Sequence, residues 1–317
     1  MKLFSYRRDG VVRSGVRIRH GGLDVDALER AIVAHGDDQF AEMVGRSLPP
    51  PTKMVDLLSS GAERLASLAD AVTRASEVTP ETLLLPMDTI EFEVPTPGSQ
   101  KILCVGRNYL EHVQESNREV PGDPVLFCRY EDSQVAHREA IERPIKSVQL
   151  DWEGELAVII GRSSRYVDEL HALEVVAGYA IFNDGSVRDY QHRTVQWTAG
   201  KNFVHSGSYG PYLVTKDEIA DPQGLDLETR VNDTVVQKAS TATMIFPVCR
   251  LIAYISEWTQ LNPGDVIATG TPAGIGNART PKWFLKAGDE LSVSITGLDT
   301  LRNPVVDEEP PKTALQP

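Results

Sequence analysis

Cysteine is scarce, with three residues (Cys104, Cys128 and Cys249) in a chain of 317. An odd count without any C-x-x-C pair excludes a disulfide framework and a thiolate zinc site, and points to a reducing, cytoplasmic setting. No apolar run approaches the roughly 18–20 residues of a membrane-spanning helix. The opening Met1-Lys2-Leu3-Phe4-Ser5-Tyr6-Arg7-Arg8 carries charge where a secretory leader needs an apolar core, so no membrane partner is expected. Positive charge is also in deficit: 32 Lys and Arg stand against 45 Asp and Glu, a net charge of −13. That balance argues against a nucleic-acid partner. A small anionic substrate fits it only if a few Arg and Lys side chains, or a bound cation, gather positive charge in one site. The familiar catalytic signatures are missing as well. There is no G-x-S-x-G elbow and no H-E-x-x-H, and the glycine-rich Thr269–Gly276 stretch has neither G-K-[ST] nor G-x-G-x-x-G.

The chain is long enough for one large domain or two unequal ones. Residues 1–78 read as a small α/β unit, with a hairpin turned at Asp9-Gly10 and an amphipathic helix over 55–75. Prolines 80, 86, 95 and 97 mark 79–100 as an ordered linker. From 101 to 306 the texture changes to short β-type runs, at 102–105, 125–128, 156–160, 176–182, 212–214, 228–231, 266–269 and 291–295. One clear helix, 247–261, interrupts them with proline at its start. Strands outnumber helices and do not alternate with them, which predicts an α+β chain with a mainly β, mostly antiparallel second domain. The tail, 307–317, is expected to fray.

Three stretches carry chemistry. Asp151-Trp152-Glu153-Gly154-Glu155 leads into five apolar residues, and strand periodicity puts Glu153 and Glu155 on one side. A bare E-x-E more often marks a solvated strand edge. Here the apolar run says the strand is buried, where paired carboxylates need a cation. Asp184 ends a second apolar run and can point into the same place, although an Asp-Gly pair also suits an ordinary turn. Three oxygen ligands without nearby His or Cys favour a hard cation, Mg²⁺ or Mn²⁺. In the second stretch His112 and Glu115 lie three apart, so on a short helix they share a face, with Tyr109. A carboxylate that orients an imidazole raises its basicity, as a general base requires; the alternative is an incidental pair on a surface helix. Third, Arg188, Gln191 and Lys201 follow Asp184 closely and supply donors for carboxylates or an enolate. Thr271 lies in the glycine-rich stretch, which can present backbone N–H groups to an anion.

Together these pieces resemble the fumarylacetoacetate hydrolase family in its compact bacterial form, over about 101–305. The likeness rests on the order and spacing of Val105-Gly106-Arg107-Asn108-Tyr109, His112 with Glu115, Asp151 to Val158, Asn183 to Asp189, Gly200-Lys201, Gly210 to Thr215 and Thr269 to Gly276. The resemblance implies a β-roll of mixed sheets, commonly paired as a homodimer. It implies that Glu153, Glu155 and Asp184 ligate Mg²⁺, or Mn²⁺ or Ca²⁺. His112 and Glu115 would form a dyad on a short lid helix that activates water or moves a proton. Lys201 and Gln191 would face substrate oxygens and Thr271 a carboxylate, with Arg107, Tyr109 and Arg188 also contacting substrate. Departures from the family pattern fall at Cys128-Arg129-Tyr130-Glu131, His137-Arg138-Glu139, Gly185 and Asn202 to Ser206. They touch the pocket wall, not the metal or the base.

The resulting expectation is a divalent-metal-dependent hydrolase that cleaves a C–C bond in an acylpyruvate or related oxo-diacid from aromatic degradation. Isomerisation or decarboxylation of 2-oxo or 2-hydroxymuconate-type diacids at the same site is the first alternative. A catalytically silent metal-binding scaffold is the second.

Overall fold

Alternating apolar residues organise the chain from its first strand onward. The computed structural model describes residues 1–19, 21–34, 52–78 and 84–310. β1 (Lys2–Arg8), β2 (Val11–Ile18) and β3 (Gly21–Asp24) form an antiparallel meander. Its first turn is the expected Asp9-Gly10, with both residues left-handed at φ 53° and 75°, the geometry that matches strand twist in a two-residue hairpin. Asp24 ends β3 and accepts the N–H of Ala27 at 2.9 Å, which caps the helix Val25–Ala34. The expected helix over 55–75 is two helices, Met54–Ser59 and Ala62–Val78. The break falls at Gly61, whose φ of 95° closes the first helix in a conformation that glycine adopts without strain.

The stretch read as a linker contains β4 (Glu91–Glu93), which pairs with β1; its residues 79–83 lie outside the described residues. There follow β5 (Ile102–Gly106), β6 (Val125–Arg129), β7 (Gln134–Val135), β8 (Ile141–Arg143), β9 (Leu150–Asp151), β10 (Gly154–Ile160), β11 (Val176–Asn183) and β12 (Ser186–Val187). The last six strands are β13 (Gly207–Thr215), β14 (Asp226–Val231), β15 (Thr234–Ser240), β16 (Val266–Ala268), β17 (Glu290–Ile295) and β18 (Asp299–Asp307). Every expected run is a strand. β7, β8, β9, β12, β15 and β18 are additional, and β18 carries the ladder through Asp307 into the segment expected to fray, of which 311–317 lie outside the described residues.

The strands make one large sheet in the order β3-β2-β1-β13-β11-β10-β16-β5-β6, and a five-stranded sheet in the order β15-β14-β17-β18-β8. Pairing is mostly antiparallel, with parallel contacts at β16/β5, β13/β7 and β18/β8. Lys2 and Leu3 pair with Val214 and Leu213, so the N-terminal meander extends the same sheet that holds the chemistry. β10, β11 and β13 are buried along their whole length, as the apolar runs required. The helix Val248–Trp258 starts after Pro247 and buries Val248, Leu251, Ile252 and Ile255. The architecture is mixed α/β, mainly sheet with few helices, as expected. Among the described residues no helix is long and apolar enough to cross a membrane.

Candidate active site and its carboxylate cluster

The register of β10 against β11 brings the three carboxylates together. Gly154 stands opposite Asn183, so the next residue on each strand, Glu153 and Asp184, meet where the ladder ends. The Asp184 N–H donates to the Glu153 carbonyl at 2.9 Å, and the Glu153 N–H donates to Asn183 Oδ1 at 3.1 Å. One carboxylate oxygen from each of Glu153, Glu155 and Asp184 falls within 4.8 Å of the others, and all three residues are buried. The residue between the glutamates must be small, because a Cβ on Gly154 would lie 2.2 Å from Thr229 Oγ1.

Cations surround the cluster unevenly. Lys201 Nζ donates to Glu153 Oε2 and Asp184 Oδ2, each at 2.6 Å. Arg129 Nη1 donates to Asp184 Oδ1 at 2.7 Å, and Arg188 Nη1 pairs with Glu153 Oε1 at 2.7 Å. Asp151, equally buried, is not a fourth member: its carboxylate takes Arg188 Nε at 2.8 Å and the backbone N–H groups of Gly276 and Asn277 at 2.7 and 2.8 Å. Burial would raise the Glu153 carboxyl, but Lys201 and then Arg188 outweigh it and hold that group low. Among the described residues no cation pairs with Glu155. It accepts the Gly270 N–H at 2.7 Å, and burial, followed by repulsion from Asp184 and Glu153, pushes its carboxyl well above the usual range.

Counted as formal charges, four buried carboxylates face three buried cations, and the carboxyl left without one is Glu155. A set of oxygen donors lacking positive charge fits a hard divalent cation, so the residues present suit the metal that the sequence implies.

Beside the cluster, His112 Nδ1 lies 2.8 Å from Glu115 Oε1, as the i,i+3 spacing required, on the short helix Leu110–Glu115. The other oxygen of Glu115 accepts the Gly274 N–H at 2.9 Å. With Nδ1 engaged by a carboxylate, Nε2 is the nitrogen available to act as a base. His112, Glu153, Glu155 and Asp184 all line one cavity of about 430 Å³, a size usual for small-molecule sites.

Arg107, Arg188, Gln191, Lys201 and Thr271 line it too. Arg107 Nε and Arg188 Nη2 are buried without a hydrogen-bond partner, which leaves donors for a ligand. Gln191 Oε1 accepts from Arg188 Nη1 at 2.9 Å. Thr271 has its one hydroxyl proton on the Gly154 carbonyl at 3.0 Å, so gripping a substrate carboxylate through that oxygen requires the hydroxyl to turn. Tyr109, placed by the sequence with the substrate contacts, is not a lining residue. It precedes the His112 helix with its hydroxyl buried and unpartnered, and burial, with Glu155 nearby, raises that phenol. Glu115 likewise acts from behind His112 and does not line the cavity.

Several residues that build this site were not singled out from the sequence. Arg129 appeared only as a departure on the pocket wall, yet it is a buried clamp on Asp184, with further bonds to the Gly185 carbonyl at 2.8 Å and Ser206 Oγ at 2.9 Å. The same packing explains Gly185, where a Cβ would lie 1.8 Å from the Ser206 carbonyl oxygen. An aromatic wall of Phe127 and Trp197, with centroids 5.4 Å apart, runs from Lys201 Nζ, 4.9 Å from the Phe127 ring, toward Arg107, 5.8 Å from the Trp197 ring. Arg107, Arg118, Arg188 and Lys201 outnumber the three lining carboxylates, so this acidic protein gathers positive charge here. For Arg129 the sequence signal was an arginine closing the apolar run Val125 to Cys128.

Residues 101–306 match the family described as fumarylacetoacetate (FAA) hydrolase C-terminal. The chain is 39% identical over 258 residues to a mitochondrial oxaloacetate tautomerase of Homo sapiens, covering 81% of this chain and 80% of that protein. It is 43% identical over 216 residues to a 2,4-didehydro-3-deoxy-L-rhamnonate hydrolase of a Sphingomonas species, covering 68% of this chain and 76% of that one. Among solved structures, a maleylpyruvate hydrolase from Sphingobium, in complex with manganese(II) and pyruvate, superposes with a TM-score of 0.75 at 27% identity, covering 98% of this chain and all of that one. The chain belongs to the fumarylacetoacetate hydrolase family.

Proposed function

We propose that this family member is a divalent-metal-dependent hydrolase that cleaves the C–C bond of an acylpyruvate or a related oxo-diacid. The observation that carries the reading is the shared cavity: His112, backed by Glu115, and the Glu153, Glu155 and Asp184 carboxylates open into the same space. Glu153, Glu155 and Asp184 would hold the cation, Mg²⁺ by preference, with Mn²⁺ or Ca²⁺ as substitutes. When bound, such an ion supplies Lewis-acid polarisation of the 2-oxo group and stabilises enolate charge.

The chain's own groups do the rest. Arg188 Nη2 and the third proton of Lys201 Nζ bind oxygens at the pyruvoyl end. His112 Nε2 takes a proton from water, whose oxygen attacks the distal carbonyl carbon. The C–C bond then breaks, its electron pair passing to the pyruvoyl side, and His112 returns the proton to that carbon. Water is consumed, and a carboxylic acid and pyruvate or its analogue are formed. Glu115 holds the imidazole in one tautomer throughout. The aromatic wall of Phe127 and Trp197, with Arg107, would face the variable end of the substrate.

A second reading, proton relocation in a 2-oxo diacid by the same dyad, is favoured by the tautomerase relatives, which match a larger share of the chain than the rhamnonate-type hydrolase does. Decarboxylation would use the same enolate. The intact dyad weighs against a silent scaffold. On this reading 101–306 carry the catalysis, and 1–78 shape the entrance or the contact in a cytoplasmic homodimer.

Purified protein incubated with an acylpyruvate, oxaloacetate and a 2-hydroxymuconate-type diacid, with Mg²⁺ and product identification, tests the proposal. Two-acid products from the acylpyruvate support hydrolysis. Isomerised or decarboxylated products alone select the other chemistry, and no turnover of any of the three defeats the enzyme reading.

A further inference from the structure

Gln237 lies on β15, outside every stretch the sequence singled out, and only 2% of it is exposed. Neighbouring side chains on a regular strand face opposite ways, yet Val236 and Gln237 are both buried. A bulge explains this. Thr229 pairs with Gln237 and Arg230 with Val235, so Val236 is the extra residue and the local kink turns Gln237 inward.

The inward amide is fully used, and its partners belong to the two halves of the site. Its Oε1 accepts the Gly154 N–H at 2.9 Å, between the two glutamates of the carboxylate cluster. Its Nε2 donates to Thr271 Oγ1 at 2.8 Å and to the Pro272 carbonyl at 2.9 Å. The loop so held continues to Gly274, whose N–H seats Glu115 and whose φ of 107° leaves no room for a side chain, a Cβ meeting the Val236 carbonyl at 2.1 Å. Bulge, amide and loop thus interlock. The Val236 carbonyl is itself pinned by Arg279 Nη2 at 2.8 Å.

We propose that Gln237 is a positioning residue: one buried amide fixes the distance between the strand that bears Glu153 and Glu155 and the loop that seats the Glu115–His112 dyad. The inference rests on the dyad's role in the reading above. It concerns how the base is aimed, not which bond is broken, so it holds for hydrolysis and proton relocation alike.

The test compares wild type, Gln237→Met and Gln237→Asn. Methionine keeps the volume and removes all three bonds. Asparagine keeps the amide but is one methylene too short to reach both sides, and it serves if the methionine variant does not fold. Each folded variant is assayed for kcat and KM with the substrate wild type turns over, and His112 is followed by ¹⁵N-histidine NMR, assigned with His112→Ala. The expected result is a fall in kcat on the order of 10- to 100-fold, the usual effect of removing an outer partner of a catalytic group. KM should change little, and the hydrogen-bonded His112 Nδ1 proton should be shifted or broadened. A lower melting temperature with unchanged kcat and an unchanged His112 signal would overturn the proposal and leave Gln237 a packing residue. The NMR arm does not depend on turnover: if wild type processes no 2-oxo acid, the functional reading fails, whereas an unperturbed His112 signal in the variants defeats the Gln237 inference alone.

Discussion

Arg129 reaches Asp184 from the side away from Lys201, Nη1 to Oδ1 at 2.7 Å, so each oxygen of this buried carboxylate is held by its own cation. Asp184 is thereby fixed in orientation before any metal arrives. Breaking a buried ion pair from one side leaves the partner charge unsolvated. Arg129→Met is expected to destabilise the fold by about 3–5 kcal/mol and to weaken Mn²⁺ binding roughly 10- to 100-fold. Denaturant melts and calorimetric titration check the two effects. An unchanged Mn²⁺ affinity in a folded variant would remove Arg129 from the site.

Glu115 does not line the cavity that holds the carboxylates, so its substitution separates orientation from binding. Glu115→Gln keeps the shape but gives the imidazole a neutral partner. A fall in kcat on the order of 100-fold is expected, within the range general-base contributions span, with KM and Mn²⁺ affinity near wild type. A change confined to KM would place Glu115 in substrate binding instead.

Glu155 should behave oppositely with and without metal. Burial and its two acidic neighbours raise its carboxyl, and a carboxyl raised in the folded state costs stability at any pH above its unfolded value. Metal-free Glu155→Gln is therefore expected to melt at or above wild type at neutral pH. Mn²⁺ at a hundredfold excess over its Kd should stabilise wild type by about 2.7 kcal/mol and leave the variant where it was. Calorimetric scans with and without metal read both; a variant that responds to Mn²⁺ as wild type does would contradict the ligand assignment.

How much of this was legible in the residues depended on locality. Glu153 and Glu155 announce themselves because five apolar residues follow them, and His112 and Glu115 because three residues make almost one helical turn. The Asp184 position followed from an apolar run ending at glycine. Arg129 was not legible as a clamp, since two of its bonds go to nearby Ser133 but the three that build the site go to groups far along the chain, Asp184, Gly185 and Ser206. Gln237 was hidden by a bulge that no local pattern signals. Helical spacing placed Tyr109 with His112, but Tyr109 is the extended residue before the helix and does not line the cavity. The pairing of Leu3 with Leu213 is a contact across most of the chain, which is why the N-terminal meander could be read only as a separate small unit.

His137 supplies a pH-dependent term remote from the chemistry. Its ring stacks edge-on against Phe92 at 5.1 Å, and its Nδ1 accepts the Arg302 N–H at 3.1 Å, a role only the neutral ring can play. Burial, then Arg138, brings its pKa down to about 4. Between that value and the ordinary one near 6.5, the unfolded chain binds a proton that the folded chain refuses, so this residue's contribution to stability falls as pH drops through the window and levels off below it. His137→Phe should flatten that part of the curve of unfolding free energy against pH. A variant curve parallel to wild type over the window would show that the residue does not titrate as its surroundings dictate.

The central claim, that one cavity joins a metal held by Glu153, Glu155 and Asp184 to a base at His112, is met most directly by a single comparison. Wild type and His112→Ala are titrated with Mn²⁺ and then assayed on the acylpyruvate that wild type cleaves. The expected result is equal Mn²⁺ affinity with turnover lost in the variant. Undiminished turnover in His112→Ala, or wild-type turnover that survives complete removal of divalent metal, would contradict the account.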